Sequence, residues 1–232
     1  MGNIRSRLRP QAAKRRRMKL FRFRYSPYAR KAQMLLDLLG AKYDLVEVSY
    51  SDRRELATLT GGYIYVPVLL DDDGSVVVES RAICERLLAR DGARRLLPKP
   101  WAGPIWAYAD FCDGPLEDIL FRIASPDVQA AWPDAGERAL YRLIKERKFG
   151  AGCIESWLGQ REELLTRAQT LLSPTLETLA ERAFLFGETP TLADAALYGN
   201  LAMLHEASPD LINKLSPALE TYRLRVERAA TI

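Results

Sequence analysis

Ser26 is the residue whose type and position first suggest chemistry, because it follows an apolar run and directly precedes a proline. Serine before proline is the usual start of a helix, where the hydroxyl caps the first N–H groups. The same hydroxyl could donate a hydrogen bond to an anion, assisted by the positive end of the helix dipole. Ser26 is therefore a structural cap, a donor to an anionic reactant, or both.

A second feature is the proline within an apolar strand at Val66-Pro67. Proline cannot donate to a β ladder, so the segment is either an edge strand or contains a cis bond that turns the backbone of Val66 outward. In the second case the N–H and C=O of Val66 could pair with an extended peptide in antiparallel fashion. The sequence alone leaves both interpretations open.

Residue types for metal or triad chemistry are scarce. Cys84, Cys112 and Cys153 are far apart, form no C-x-x-C pair and are odd in number. This pattern favours buried apolar cysteines over a disulfide framework or a zinc site. The single histidine, His205, has no partner for a metal site or a Ser-His pair, so we expect no metal.

Positive charge is concentrated at the N-terminus, where residues 1–17 hold seven of the 34 Lys and Arg and no acid. The other 27 bases face 30 acids, so the rest of the chain is slightly acidic and we expect no nucleic-acid binding. We expect residues 1–17 to be a disordered extension. Their start also matches M-G-x-x-x-S, so membrane contact through an acylated basic N-terminus is an alternative that we rank second.

No apolar run in the chain reaches the ~18 residues that a membrane span needs. The N-terminus also lacks the apolar segment of a secretory signal. We therefore expect a cytoplasmic protein.

Periodicity predicts a mixed sheet in the first half. The stretch LFRFRY alternates aromatic residues with arginine up to Tyr25, as in a strand of which one face is less covered than the other. Further strands are predicted at 43–48, 66–70 and 76–78, with helices after Ser26, at about 51–60 and at 79–90. The order is βαβαββα, which indicates a sheet covered by helices on both faces.

A change of composition follows at 91–104, where three prolines and two glycines predict a linker. Everything after it is predicted to be an all-helical domain over 105–232, and the domain before the linker spans 18–90. Helices are predicted near 105–123, 133–148, 155–181 and 192–205, with two short helices before Arg228.

Taken in order, Ser26-Pro27, Val66-Pro67 and Glu79-Ser80 make the chain similar to the glutathione transferase family from about Met18 to Arg225. The segment 187–194, GETPTLAD, resembles the family's helix capping box, with Thr191 and Asp194 in T-x-x-D spacing. The closest likeness is to cytosolic, bacterial-style enzymes of the serine type, or to omega-like ones that carry cysteine in its place.

This resemblance implies a thioredoxin-like glutathione-binding domain followed by the family's all-helical domain. It implies that glutathione is the co-substrate, that Ser26 stabilises its thiolate, that Val66 and Pro67 contact the cysteinyl part, and that Glu79 and Ser80 hold the γ-glutamyl end. Arg53 could bind the glycyl carboxylate. Tyr25 or Tyr28 could replace Ser26 as the donor. A small hydrophobic electrophile, a homodimer and a role in detoxification are also implied.

Two other functions stay open at this stage. A non-catalytic binding or assembly module would use the same scaffold. A glutathione-dependent thiol reductase or dehalogenase would need cysteine at position 26, and Ala29 stands where a second cysteine would lie. The pocket for the electrophile could be lined by four aromatic or cysteine residues, which would otherwise belong to the core: Tyr108, Phe111, Cys112 and Trp157.

Overall fold

The computed structural model describes residues 17–231. The predicted N-terminal extension and its membrane contact lie outside the described residues, apart from Arg17. Arg17 is ion-paired to Asp44 at 2.8 Å, next to the second strand.

The first half is a four-stranded sheet in the order β2-β1-β3-β4. The strands are β1 (Met18–Arg22), β2 (Tyr43–Glu47), β3 (Val68–Leu70) and β4 (Val76–Val78). Strand β2 pairs with β1 in parallel, whereas β3 is antiparallel to both β1 and β4. Helices α1 (Pro27–Leu38), α2 (Arg54–Thr60) and α3 (Ser80–Leu88) complete the predicted βαβαββα order.

Helices cover both faces of this sheet, as predicted. Leu20 of β1 packs in the main core with Leu35 of α1 and Ile83 of α3. The next residue, Phe21, points to the opposite face and packs with Leu56 of α2. This opposite placement follows from the two-residue period of a strand.

The predicted first strand ends early, at Arg22 rather than near Tyr25. Arg22 is also buried instead of lying on a less covered face. Its guanidinium is satisfied within the fold, because Nε donates to Glu47 at 2.8 Å and a second nitrogen donates to Gln33. Pairing of this kind is what allows a charged side chain to be buried.

The second half is helical, as predicted. Two short 3₁₀ turns, Ala93–Arg95 and Lys99–Trp101, lie in the predicted linker, and the first long helix begins inside it at Ala102. The helices are α4 (Ala102–Phe111), α5 (Glu117–Ala131), α6 (Ala135–Phe149), α7 (Cys153–Gly159), α8 (Arg161–Glu181), α9 (Leu192–Ala207), α10 (Asp210–Leu215) and α11 (Pro217–Ala230).

Two helix boundaries differ from the predictions. A π-turn at Cys112–Leu116 joins α4 to α5, and α5 continues past the predicted end at Ile123 to Ala131. The π-turn contains Pro115, and prolines are also present inside α5 (Pro126) and α8 (Pro174). The predicted helix 155–181 is instead divided at Gln160 into α7 and α8.

Helix α9 lies at the centre of the helical half and is buried from Leu192 to Leu204. The predicted capping box of Thr191 and Asp194 is present at its start. The Asp194 carboxylate also accepts from the N–H of Leu185 at 2.9 Å and the hydroxyl of Tyr222 at 2.7 Å. Within the described residues, no helix is both long and apolar enough to cross a membrane.

Candidate active site

The register of the sheet brings four chain segments to one edge. Phe21 of β1 pairs with Val68 of β3, which pairs in turn with Val78 of β4. The end of β1, the beginning of β3 and the end of β4 therefore coincide, and the parallel strand β2 ends at the same edge. The residues predicted from the sequence follow or precede these strand ends: Ser26, Tyr28, Arg53, Val66, Pro67, Glu79 and Ser80.

Ser26 is the N-cap of α1 and is buried. Its Oγ accepts a hydrogen bond from the N–H of Ala29 at 3.3 Å, and Pro27 occupies the first helical position. A hydroxyl has one proton to donate in addition to its acceptor sites. Among residues 17–231 no acceptor is bound to that proton, so Ser26 can cap the helix and still donate to an anion.

Val66 lies just outside the sheet ladder, which begins at Val68. The Val66–Pro67 peptide bond is cis, so the second of the two interpretations of this segment is correct. Neither the N–H nor the C=O of Val66 has a hydrogen-bond partner within the described part of the chain. An extended peptide could pair with both groups.

Glu79 and Ser80 form the junction between β4 and α3. Glu79 has a φ of 70°, which is unusual for a residue other than glycine and which costs backbone energy. Its carboxylate accepts a hydrogen bond from the hydroxyl of Tyr63 at 2.9 Å. The sequence does not predict this role for Tyr63, because no local pattern indicates that the loop before Val66 reaches Glu79.

Arg53 is held against the same loop. Its guanidinium lies 5.0 Å from the ring centroids of Phe23 and Tyr50. It donates to the carbonyl oxygens of Tyr50 at 3.3 Å and Ile64 at 3.0 Å. An arginine has five N–H donors, so some of its donors stay available for a ligand.

Comparison with protein families gives two matches. Residues 20–95 match the family described as glutathione S-transferase, N-terminal domain, and residues 152–225 match the C-terminal domain of the same family. Together the two matches span more than half of the chain. The chain belongs to the glutathione S-transferase family. A comparison with curated protein sequences finds no match.

Solved glutathione transferases share the whole fold. One from Phanerochaete chrysosporium superimposes with a TM-score of 0.74 at 18% identity, covering 93% of this chain and 98% of that one. One from Ceriporiopsis subvermispora, crystallised in complex with glutathione, has a TM-score of 0.72 at 17% identity, with 93% and 98% covered. One from Methylobacillus flagellatus has a TM-score of 0.61 at 22% identity, with 93% and 100% covered. At these identities the likeness concerns the fold.

In this transferase-family chain, two tyrosines flank Ser26, and the hydroxyl of one of them, Tyr28, is already hydrogen-bonded. Tyr28 donates to the backbone oxygen of Asp113 at 3.1 Å, and burial raises its pKa. The Tyr25 ring stacks on Phe23 at 5.5 Å and meets Trp132 edge-on at 5.7 Å. Burial, followed by neighbouring tyrosines, raises the pKa of Tyr25 far above its usual value, which makes it a weak proton donor.

The helical wall of the site differs from the one suggested by the sequence. Cys112 and Trp157 are buried in the core, and the hydroxyl of Tyr108 is bonded to Thr175 at 2.8 Å. Cys112 and Trp157 therefore belong to the core, as the alternative assignment has it, whereas Tyr108 and Phe111 are half-buried against it. The residues that approach the Ser26 loop from the helical half include Asp113, Glu117, Trp132 and Tyr141.

Helix α6 connects the helical half to the loop that follows β2. The Glu137 carboxylate accepts from the hydroxyl of Ser49 at 2.8 Å and from the N–H of Tyr50 at 3.1 Å. The Tyr141 ring lies 5.4 Å from that of Tyr50. Because the loop after β2 also carries Arg53, α6 helps to position the edge at which the predicted site residues lie.

Proposed function

We propose that this chain is a glutathione transferase of the serine type, which ionises the thiol of glutathione beside Ser26 for attack on a small electrophile. One observation carries the proposal. The hydroxyl of Ser26 lies at the N-terminus of α1, bonded only to the N–H of Ala29 among the described residues, at the edge where the other predicted residues converge.

A hydrogen bond from Ser26 and the N-terminus of α1 can together supply the free energy needed to ionise the thiol. A thiol with a pKa of about 8.5 is mainly protonated at neutral pH, and lowering the pKa by about two units corresponds to about 2.7 kcal/mol. A hydrogen bond to a charged group contributes about 1.5–3 kcal/mol, and a helix N-terminus adds about 0.3–1 kcal/mol. Ser26 then acts as a donor and not as a nucleophile, so no histidine is needed.

The peptide is proposed to lie along the sheet edge. The unpaired backbone groups of Val66 bind its cysteinyl part, with Pro67 beneath it. The Glu79 carboxylate binds the γ-glutamyl ammonium group, while the Ser80 hydroxyl and the first N–H groups of α3 bind its carboxylate. Arg53 binds the glycyl carboxylate. The glutathione complex of the similar Ceriporiopsis subvermispora transferase supports glutathione as the ligand.

We place the enzyme in the cytoplasm as a homodimer with a role in detoxification, on the strength of family membership. Tyr28 is a second-ranked contact to glutathione, because its hydroxyl is already bonded to Asp113. A thiol reductase is disfavoured by serine at position 26 and alanine at position 29.

Retention on immobilised glutathione, followed by turnover of a generic aryl halide, tests this function. We expect the wild type to be retained, Ser80→Ala to be retained weakly, and Ser26→Ala to be retained but to turn over slowly. Retention without turnover by the wild type would favour a non-catalytic binding module. No retention would contradict glutathione binding altogether.

A further inference from the structure

Lys145 of α6 lies close to the proposed site. Its ammonium group is 4.8 Å from the ring centroid of Tyr141 and 4.7 Å from that of Phe121 in α5. The Tyr141 ring is in turn 6.0 Å from the ring of Tyr25, which precedes Ser26. Lys145 therefore lies between α5 and α6, one aromatic ring away from the loop that carries Ser26.

The ammonium group of Lys145 has no hydrogen-bond acceptor or ion-pair partner among residues 17–231. Arg142 on the same helix, by contrast, is ion-paired to Glu146 at 2.9 Å and to Glu155 at 2.7 Å. Lys145 is half-buried, and this burial lowers its pKa to about 8. Near neutral pH Lys145 is nevertheless mainly charged, so it can receive an anion.

The charged groups around Lys145 carry a net positive charge. Glu117 of α5 is a carboxyl group that interacts with Lys145. Burial, before other causes, raises the pKa of Glu117 to about 7, so this group is only partly ionised near neutral pH. Lys148 of α6 and Arg53 add positive charge. The surroundings of Lys145 therefore favour an anionic group.

We infer that the second reactant is an electrophile with a flat, unsaturated or aromatic body and a carboxylate group. Lys145 binds the carboxylate, while the half-buried ring of Phe121 contacts the body. This inference rests on the proposed function and changes the expected electrophile from an apolar molecule to an anionic one.

A suitable probe is para-chloro-meta-nitrobenzoate, with the neutral para-chloro-meta-nitrobenzamide as its partner. The glutathione sulfur, present as a thiolate whose proton has passed to solvent, forms a bond to the ring carbon that carries chlorine. The carbon–chlorine bond then breaks and chloride leaves with the bonding electrons. The two probes share the leaving group and differ in charge, so a difference between them reports on Lys145.

Binding of both probes to the full chain is measured by calorimetry without glutathione, and turnover is measured with it. We expect the wild type to bind the benzoate about tenfold more tightly than the benzamide. Lys145→Met should lose this preference, whereas Lys145→Arg should keep it. Arg147→Met is the matched control, because Arg147 is exposed on the same helix and is not among the charged groups that act on Lys145.

Equal binding of the two probes to the wild type overturns the inference whether or not any variant folds. A preference that survives in Lys145→Met overturns it as well. Weaker retention of Lys145→Met on immobilised glutathione would assign Lys145 to a carboxylate of glutathione and would also overturn it. Selective binding of the benzoate without turnover by the wild type contradicts the proposed function but supports the Lys145 site.

Discussion

Gly199 of α9 lies against the carbonyl oxygen of Pro27 at the start of α1. A Cβ at this glycine would overlap that oxygen and would lie 3.0 Å from the backbone nitrogen of Lys31. Only glycine allows the central helix of the second half to approach α1 this closely. The N-terminus of α1, and with it Ser26, is therefore positioned by direct backbone contact with α9.

Gly199→Ala should destabilise the fold by about 1–3 kcal/mol, because the backbone of α1 must move to admit the methyl group. Denaturant unfolding measures this loss. Gly103→Ala is the matched control, since Gly103 is also helical and a methyl group there would meet no atom within 4 Å. Equal stability of the two variants would show that the α1–α9 contact is not as close as described.

Asp194→Ala should cost about 3 kcal/mol in the free energy of unfolding, because it leaves buried donors of Leu185, Thr191 and Tyr222 without their acceptor. The control is Asp134→Ala at the start of α6, where the side chain is exposed and caps a single N–H, that of Glu137. That change should cost only about 1 kcal/mol. Urea unfolding measures the loss in the free energy of unfolding for both variants. Similar losses in the two would argue against a central role for the capping box.

Tyr63→Phe should raise the KM for glutathione about threefold to tenfold with kcat nearly unchanged, because the hydroxyl that orients the Glu79 carboxylate is removed. Tyr65→Phe is the control, as Tyr65 lies two residues after Tyr63 in the same loop but is 63% exposed. Steady-state kinetics with glutathione as the varied substrate measure both. An unchanged KM in Tyr63→Phe would remove Tyr63 from the site.

Glu117 should make stability depend on pH. Burial, before other causes, raises its pKa from 4.5 to about 7 in the folded chain. A raised pKa means that its contribution to stability is complete below pH 4.5 and is lost as the pH rises through about 7. The groups that face it are Tyr28 from α1, Asp118 from α5, and Lys145 and Lys148 from α6.

Glu117→Gln should therefore be more stable than the wild type by roughly 2 kcal/mol at about pH 8, with little difference at about pH 5. Denaturant unfolding at the two pH values measures this difference. Asp118→Asn, which alters an exposed neighbour paired to Arg122, should show no such trend. A constant difference across the pH range would contradict the raised pKa of Glu117.

The features that the sequence predicts correctly depend on local signals. Ser26-Pro27 and the Thr191 to Asp194 spacing mark helix starts through hydrogen bonds within one turn, and these contacts form whatever surrounds them. Val66-Pro67 stands out because proline conflicts with a strand pattern. Such features are visible in a few consecutive residues.

The features that the sequence does not predict depend on contacts between distant segments. The hydrogen bond from Tyr63 to Glu79 depends on how a loop folds over the β4–α3 junction. The position of Lys145 depends on α6 packing beside α5, and periodicity predicts α6 without predicting its neighbours. The π-turn that contains Pro115 is not predicted either, because periodicity predicts one continuous helix over 105–123.

The ionisation of glutathione bound to the enzyme tests the central claim most directly. The ultraviolet absorbance of its thiolate is titrated against pH for the wild type and for Ser26→Ala, both saturated with glutathione. The wild type should ionise the thiol about two units below the free value of about 8.5, and Ser26→Ala should return it close to that value. The same titration midpoint in both proteins would contradict a role for the Ser26 hydroxyl in stabilising the thiolate.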